Sequence, residues 1–100
     1  MDNANVRIAF VGAGAMGGAV ARGIFSTGKL AASQLAIAEV SAGIRASFSE
    51  LGIAAYADAA EMIAAFDPDA VILAVKPQAA AAVLEPVAGL LGGRLIVSIM

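Results

Sequence analysis

Three glycines, Gly12, Gly14 and Gly17, stand at the spacing G-x-G-x-x-G. Before them runs Val6-Arg7-Ile8-Ala9-Phe10-Val11, apolar except for Arg7, and after them apolar residues recur at helical spacing through Met16, Ala19, Val20 and Ile24. A strand, a glycine turn and a helix start, in that order, make a device for holding phosphate. Gly12 permits the tight turn out of the strand, the missing Cβ at Gly14 lets a pyrophosphate reach the backbone, and Gly17 lets the helix pack close to the strand. The first turn of the helix adds unpaired N–H groups and a partial positive charge. A glycine turn without a ligand has the same spacing, but the flanking strand and helix are the context that a dinucleotide site requires.

Two further groups belong to the same chemistry. Glu39 follows the glycines by about 20 residues and ends the next expected strand, where a carboxylate can bond both ribose hydroxyls and repel a 2′-phosphate. That favours NAD over NADP. Ser41 and Arg45 act the other way, since a hydroxyl and a guanidinium can hold a 2′-phosphate if Glu39 turns aside. The plain alternative for Glu39 is a solvated charge at a strand end. Lys76-Pro77 closes the fourth expected strand. Ligands of open parallel sheets bind at that edge, the proline turns the chain out of the sheet, and the lysine offers a cation to a phosphate, a ribose oxygen or a carboxylate, or simply to water. Arg22 and Arg45 are expected on exposed helix faces. No nucleophile–base pair and no pair of carboxylates on one face is present, which a nicotinamide enzyme tolerates because the cofactor supplies the hydride.

Composition narrows the remaining choices. The chain has 100 residues, 61% of them hydrophobic and 14% charged, with a net charge of −2. It is rich enough in core material to fold, and short enough for one domain over residues 1–100. Alanine makes up about a quarter of it, so much of the apolarity is small, helix-forming surface. Cysteine and histidine are absent, which removes disulfides, thiolate metal sites and the commonest metal ligand and general base. No apolar run reaches the roughly 18–20 residues of a membrane span, and no basic stripe points to nucleic acid. A cytoplasmic location is expected, with no membrane and no nucleic-acid partner.

The elements that must position these residues follow from periodicity. Strands are expected over residues 6–11, 33–40, 53–56, 70–75 and 94–99. Helices are expected over 15–27, 42–51, 59–66 and 78–91, the last interrupted by Pro86. Ser41 and Asp58 stand at N-cap positions, Glu61 completes an Asp variant of the capping box, and Gly28 and Gly52 stand at helix ends. Strands alternating with helices require parallel pairing through right-handed crossovers. The fold class is therefore α/β, a Rossmann-type doubly wound parallel sheet.

Three stretches together resemble a known family: Ile8-Ala9-Phe10-Val11-Gly12-Ala13-Gly14-Ala15-Met16-Gly17, Val71-Ile72-Leu73-Ala74-Val75-Lys76-Pro77-Gln78 and Leu95-Ile96-Val97-Ser98-Ile99. In this order and spacing they are similar to the N-terminal domain of pyrroline-5-carboxylate reductase, with Ala-Val-Lys-Pro-Gln the most specific part. The resemblance runs from about Val6 to the end of the chain. It implies NAD(P)H as cofactor and hydride transfer to the C=N bond of 1-pyrroline-5-carboxylate, the last step of proline biosynthesis. It further implies that Gly12, Ala13, Gly14, Ala15, Met16 and Gly17 bind the pyrophosphate. Glu39, Val40 and Ser41 would then lie by the adenosine ribose, and Ala74, Val75, Lys76 and Pro77 would line the nicotinamide side, with Ser98 and Ile99 near the same end. Ala15 stands where the family often has asparagine, and Met100 where it continues into a glycine-containing loop. The family's C-terminal helical domain, which forms the dimer and most of the substrate site, has no counterpart in these residues. The resemblance thus implies a cofactor-binding half, a fragment inactive alone, of a homo-oligomeric enzyme. Competing readings are the cofactor domain of a 3-hydroxyisobutyrate-type dehydrogenase, that of a deazaflavin-dependent NADP reductase, and a stand-alone nucleotide-binding module without catalysis.

Overall fold

The computed structural model describes residues 6–74, 85, 87, 89 and 92–99, with 15 and 16 described by their backbone alone. Its strands are β1 (Ile8–Val11), β2 (Leu35–Ala38), β3 (Ala54–Tyr56), β4 (Ala70–Leu73) and β5 (Leu95–Ser98). Among the described residues, the helices α1 (Ala15–Ser26), α2 (Ala42–Ser49) and α3 (Ala59–Phe66) lie between them. The sheet has the order β3-β2-β1-β4-β5, and every pair in it is parallel. This is the expected Rossmann-type arrangement. β1 is the central strand because its side chains are apolar on both faces, and the chain leaves it toward β2 on one side while β4 joins it on the other.

Alternation along the strands divides the core in two. On one face Phe10, Leu35 and Ile37 pack with Ala21, Phe48 and Ile53, joined by Val20, Ile24, Phe25 and Ile44 from α1 and α2. On the other, Ala9, Val11, Ala36, Ala38, Val71 and Leu73 pack with Met62, Ile63 and Phe66 of α3 and with Val87. The large residues of this second core come mostly from α3, because β1 and β2 present mainly alanine to it. Met62 is a packing residue, as its helical spacing indicates.

The elements differ from the sequence expectation mainly at their ends. Residues 33–34 are not strand: a short 3-10 helix, Ala32–Gln34, precedes β2. The Gln34 side chain accounts for it, accepting from the Ala31 N–H at 2.9 Å and donating to the Val6 carbonyl at 2.9 Å. α2 stops at Ser49 rather than at Leu51, since the Leu51 and Gly52 N–H groups turn back to the Phe48 and Ser49 carbonyls. Gly52 then takes φ +85°, a left-handed conformation that favours glycine. Asp58 caps α3 as expected, accepting from the Glu61 N–H at 3.1 Å. The helix expected over 78–91 lies outside the described residues apart from Glu85, Val87 and Gly89.

The amino ends of β1, β4 and β5 are tied together. The Asp69 carboxylate accepts from the Arg7 N–H at 2.9 Å, and its carbonyl accepts from Leu95 at 3.0 Å. Arg94 pairs with Asp67 at 2.6 Å. Among the described residues no helix is long and apolar enough to cross a membrane.

The two-core arrangement predicts a contrast in stability. Phe48 is fully buried and Leu51 is 37% exposed. Phe48→Ala should lower the unfolding free energy by about 3–5 kcal/mol and Leu51→Ala by less than about 1 kcal/mol. Urea denaturation checks this, and similar losses for the two variants would contradict the packing.

Candidate functional site

Register brings the candidate residues to one edge. Val11 pairs with Ala38 on one side and with Leu73 on the other, and Leu73 pairs with Ser98. The next residues, Gly12, Glu39, Ala74 and Ile99, therefore leave the sheet in one row. Backbone bonds hold that row: Gly12 N–H to the Ala38 carbonyl at 2.8 Å, Glu39 N–H to Tyr56 at 2.9 Å, Ala74 N–H to Val11 at 2.9 Å and Ile99 N–H to Leu73 at 3.0 Å. The gap between β1 and β4 is the topological switch point, where the carboxyl ends of the strands form a crevice.

The glycine turn sits at that crevice. Gly12 has φ +89° and so carries the left-handed conformation that opens the turn. A Cβ on Gly17 would overlap the Gly12 carbonyl oxygen and lie 2.6 Å from the Ala74 Cβ, so this glycine is required for α1 to approach β1 and β4. Gly18 is constrained in a similar way, because its Cβ would lie 2.7 Å from the Ala13 carbonyl oxygen. The fourth glycine thus serves the turn itself. Gly14, the N-cap of α1, is different: a Cβ there would meet nothing within 4 Å, and no side chain caps the helix. The N–H groups of the first helical turn have no intrahelical partner. The open side of Gly14 and these donors leave room and unpaired N–H groups at the start of α1.

The exit of β2 is built around Glu39. Its carboxylate is partly buried and accepts two backbone hydrogen bonds, from the Ala13 N–H at 3.0 Å and the Ser41 N–H at 2.9 Å. Ser41 is the N-cap of α2 and accepts from the Ile44 N–H at 3.3 Å. Arg45 is not an exposed helix-face residue as expected. It folds back over the loop, its Nη1 donating to the Glu39 carbonyl at 2.7 Å and the Val40 carbonyl at 2.9 Å. Val40, between them, is 87% exposed. Arg22 is exposed, and it links α1 to α2 by donating to Ser47 Oγ at 2.9 Å while its guanidinium lies 4.5 Å from the centre of the Phe48 ring.

Of the candidate residues, Gly12, Ala13, Gly14, Gly17, Glu39, Val40, Ser41 and Ala74 are thus brought to one edge of the sheet. Val75, Lys76 and Pro77 lie outside the described residues, as do the side chains of Ala15 and Met16. Sequence reasoning missed the bond between Glu39 and Ala13, which joins residues 26 positions apart and has no local signature. It also missed the folding of Arg45 over the loop, although the separation of five to six residues across a helix start was a usable signal.

A parallel sheet of this order, with a glycine turn at its switch point, defines a nucleotide-binding class of α/β domain. Residues 7–100 match the family model described as NADP oxidoreductase coenzyme F420-dependent, and the chain belongs to that family. Among solved structures, it is similar to a pyrroline-5-carboxylate reductase from Coxiella burnetii, with 24% identity and a TM-score of 0.84 over 93% of this chain and 34% of that one. It is also similar to the Plasmodium falciparum pyrroline carboxylate reductase solved with NADP bound, with 26% identity and a TM-score of 0.81 over 95% of this chain and 33% of that one. An imine reductase from Bacillus cereus matches at 22% identity and a TM-score of 0.75 over 94% of this chain and 31% of that one. The chain therefore spans about a third of the length of these proteins. No curated protein matches it.

The glycine geometry predicts opposite responses at two positions. Gly17→Ala should destabilise the fold by about 2 kcal/mol or more through overlap with Gly12 and Ala74. Gly14→Ala, which meets open space, should stay within about 1 kcal/mol. Thermal or urea unfolding of the two variants checks this, and a destabilised Gly14→Ala would show that the space beside it is not open.

Proposed function

We propose that residues 1–100 form the dinucleotide-binding domain of an NAD(P)H-dependent reductase of the pyrroline-5-carboxylate reductase type. The observation that carries the reading is the open, uncapped start of α1 at Gly14, set at the switch point beside Ala74. In this reading the backbone of residues 14–17 holds the pyrophosphate. Val40 and Ser41 lie along the adenosine ribose, and Ala74 with Val75, Lys76 and Pro77 borders the nicotinamide. The bound cofactor supplies the hydride, and this chain's residues bind and orient it. The C=N bond of 1-pyrroline-5-carboxylate is the proposed acceptor, supported by the pyrroline carboxylate and imine reductases among the structural neighbours. The substrate site and the homo-oligomer interface belong to a helical domain of the kind those longer chains have room for, so this chain alone binds nucleotide without turnover.

NADPH is the proposed preference. The Glu39 carboxylate is occupied by two backbone N–H groups, while Ser41 and Arg45 stand at the same loop. Arg45 uses Nη1 for the loop carbonyls, and the rest of its guanidinium fork is suited to a 2′-phosphate. The family description, an NADP oxidoreductase, supports this. It also favours a second reading, in which the hydride is exchanged with a deazaflavin coenzyme rather than with an imine.

Calorimetric titration of the chain with NADPH and with NADH tests the cofactor reading. Binding of NADPH about tenfold tighter than NADH, near 1.4 kcal/mol, is expected, with Arg45→Ala removing most of the difference. Gly14→Ala should weaken both nucleotides while leaving the fold intact. Binding of neither nucleotide by the folded chain would overturn the reading.

A further inference from the structure

The first two N–H groups of the glycine turn do not point at the crevice. Gly12 donates to the Ala38 carbonyl at 2.8 Å and Ala13 to the Glu39 carboxylate at 3.0 Å. Both are directed sideways, onto the end of β2. The second oxygen of the same carboxylate accepts from Ser41 at 2.9 Å, at the N-cap of α2. One side chain thus fastens the turn before α1 to the turn before α2. Arg45 fixes the remaining side of that loop through the carbonyls of Glu39 and Val40.

We infer that Glu39 is a positioning residue, a clasp that sets the glycine turn and the β2–α2 loop relative to each other, and that it does not read the ribose. A carboxylate that accepts charge-assisted bonds from two backbone amides holds each more firmly than a neutral acceptor would. Turning it toward ribose hydroxyls would strand the buried Ala13 N–H, for which the described residues show no other acceptor. The bond also orients the turn: with Ala13 held against β2, the donors that face the crevice begin at Gly14. Because the clasp joins the pyrophosphate end to the adenosine end, its loss loosens both together. Its consequence for binding rests on the dinucleotide reading above, whereas its geometry does not.

Ribose reading and clasp make different predictions for Glu39→Gln. The glutamine keeps the size but replaces one acceptor oxygen with an NH2 donor, so one of the two backbone bonds is lost. With a clasp, the dissociation constants for NADPH and NADH both rise about tenfold and their ratio stays within about twofold of the wild type, a tenfold change in Kd standing for about 1.4 kcal/mol. A carboxylate that reads the ribose or repels a 2′-phosphate gives instead a ratio shifted strongly toward NADPH, and that result overturns the inference. Amide hydrogen exchange of the unliganded chain is the second measurement, and it needs no ligand. Ala13 and Ser41 should exchange at least about tenfold slower than unprotected amides, and Glu39→Gln should release one or both. Unprotected exchange at Ala13 in the wild type overturns the clasp. If the wild type binds neither nucleotide but Ala13 is protected, the cofactor reading fails and the clasp stands.

Discussion

The parallel pairing of β1 with both β2 and β4 is the constraint on which the rest of the molecule depends. Each ladder fixes a register, and together they bring three separate turns to the same height at the carboxyl edge of the sheet. A shift of one residue in either ladder would turn every side chain of the shifted strand to the opposite face. Phe10 would then face the alanine-rich core under α3, and Ala9 and Val11 would leave a void opposite Phe48. The hydrophobic pattern therefore holds the register, and the register holds the site. That is why residues as far apart as Gly12, Glu39 and Ala74 can be treated as one arrangement.

Within that frame α1 must come close. Its approach is limited by the backbone of the turn that precedes it and by the Ala74 side chain, and Gly17 and Gly18 remove the atoms that would collide. Neither glycine favours the helix by propensity. Burial of Ala21, Val20, Ile24 and Phe25 against Phe10 and Phe48, with the Arg22 link to α2, offsets that weakness. The helix is thus held by its later turns while its first turn remains uncapped. A side-chain cap there would have stabilised α1, but it would have used the donors that the open side of Gly14 leaves available.

Much of this was legible in the sequence because it rests on local rules. Glycine spacing, apolar strand runs and the Asp58 cap are short-range signals with a steric or hydrogen-bonding cause. The boundaries were less legible where side chains reached across: Gln34 remakes the start of β2 through Val6, a residue from another strand's approach. The position of Glu39 was readable, but its partner was not. The type and spacing of an acidic residue say where its carboxylate lies, and only the packed turn beside it decides which donor it meets. Arg45 carried more local signal, standing five to six residues from the carbonyls it meets, but an arginine on a helix near a loop can also point to water.

A negative charge beside the proposed phosphate site needs a physical reason. The starts of α1 and α2 converge at the end of β2, so two partial positive charges face each other across the loop. A carboxylate between them relieves that repulsion and is stabilised by both. Its field would oppose a phosphate at the proposed site, but its two oxygens are turned toward the Ala13 and Ser41 amides and their dipoles offset it. A neutral side chain would spare the phosphate that field and would hold the two turns less firmly. Arg45, donating to the Glu39 and Val40 carbonyls, brings a positive charge to the same loop.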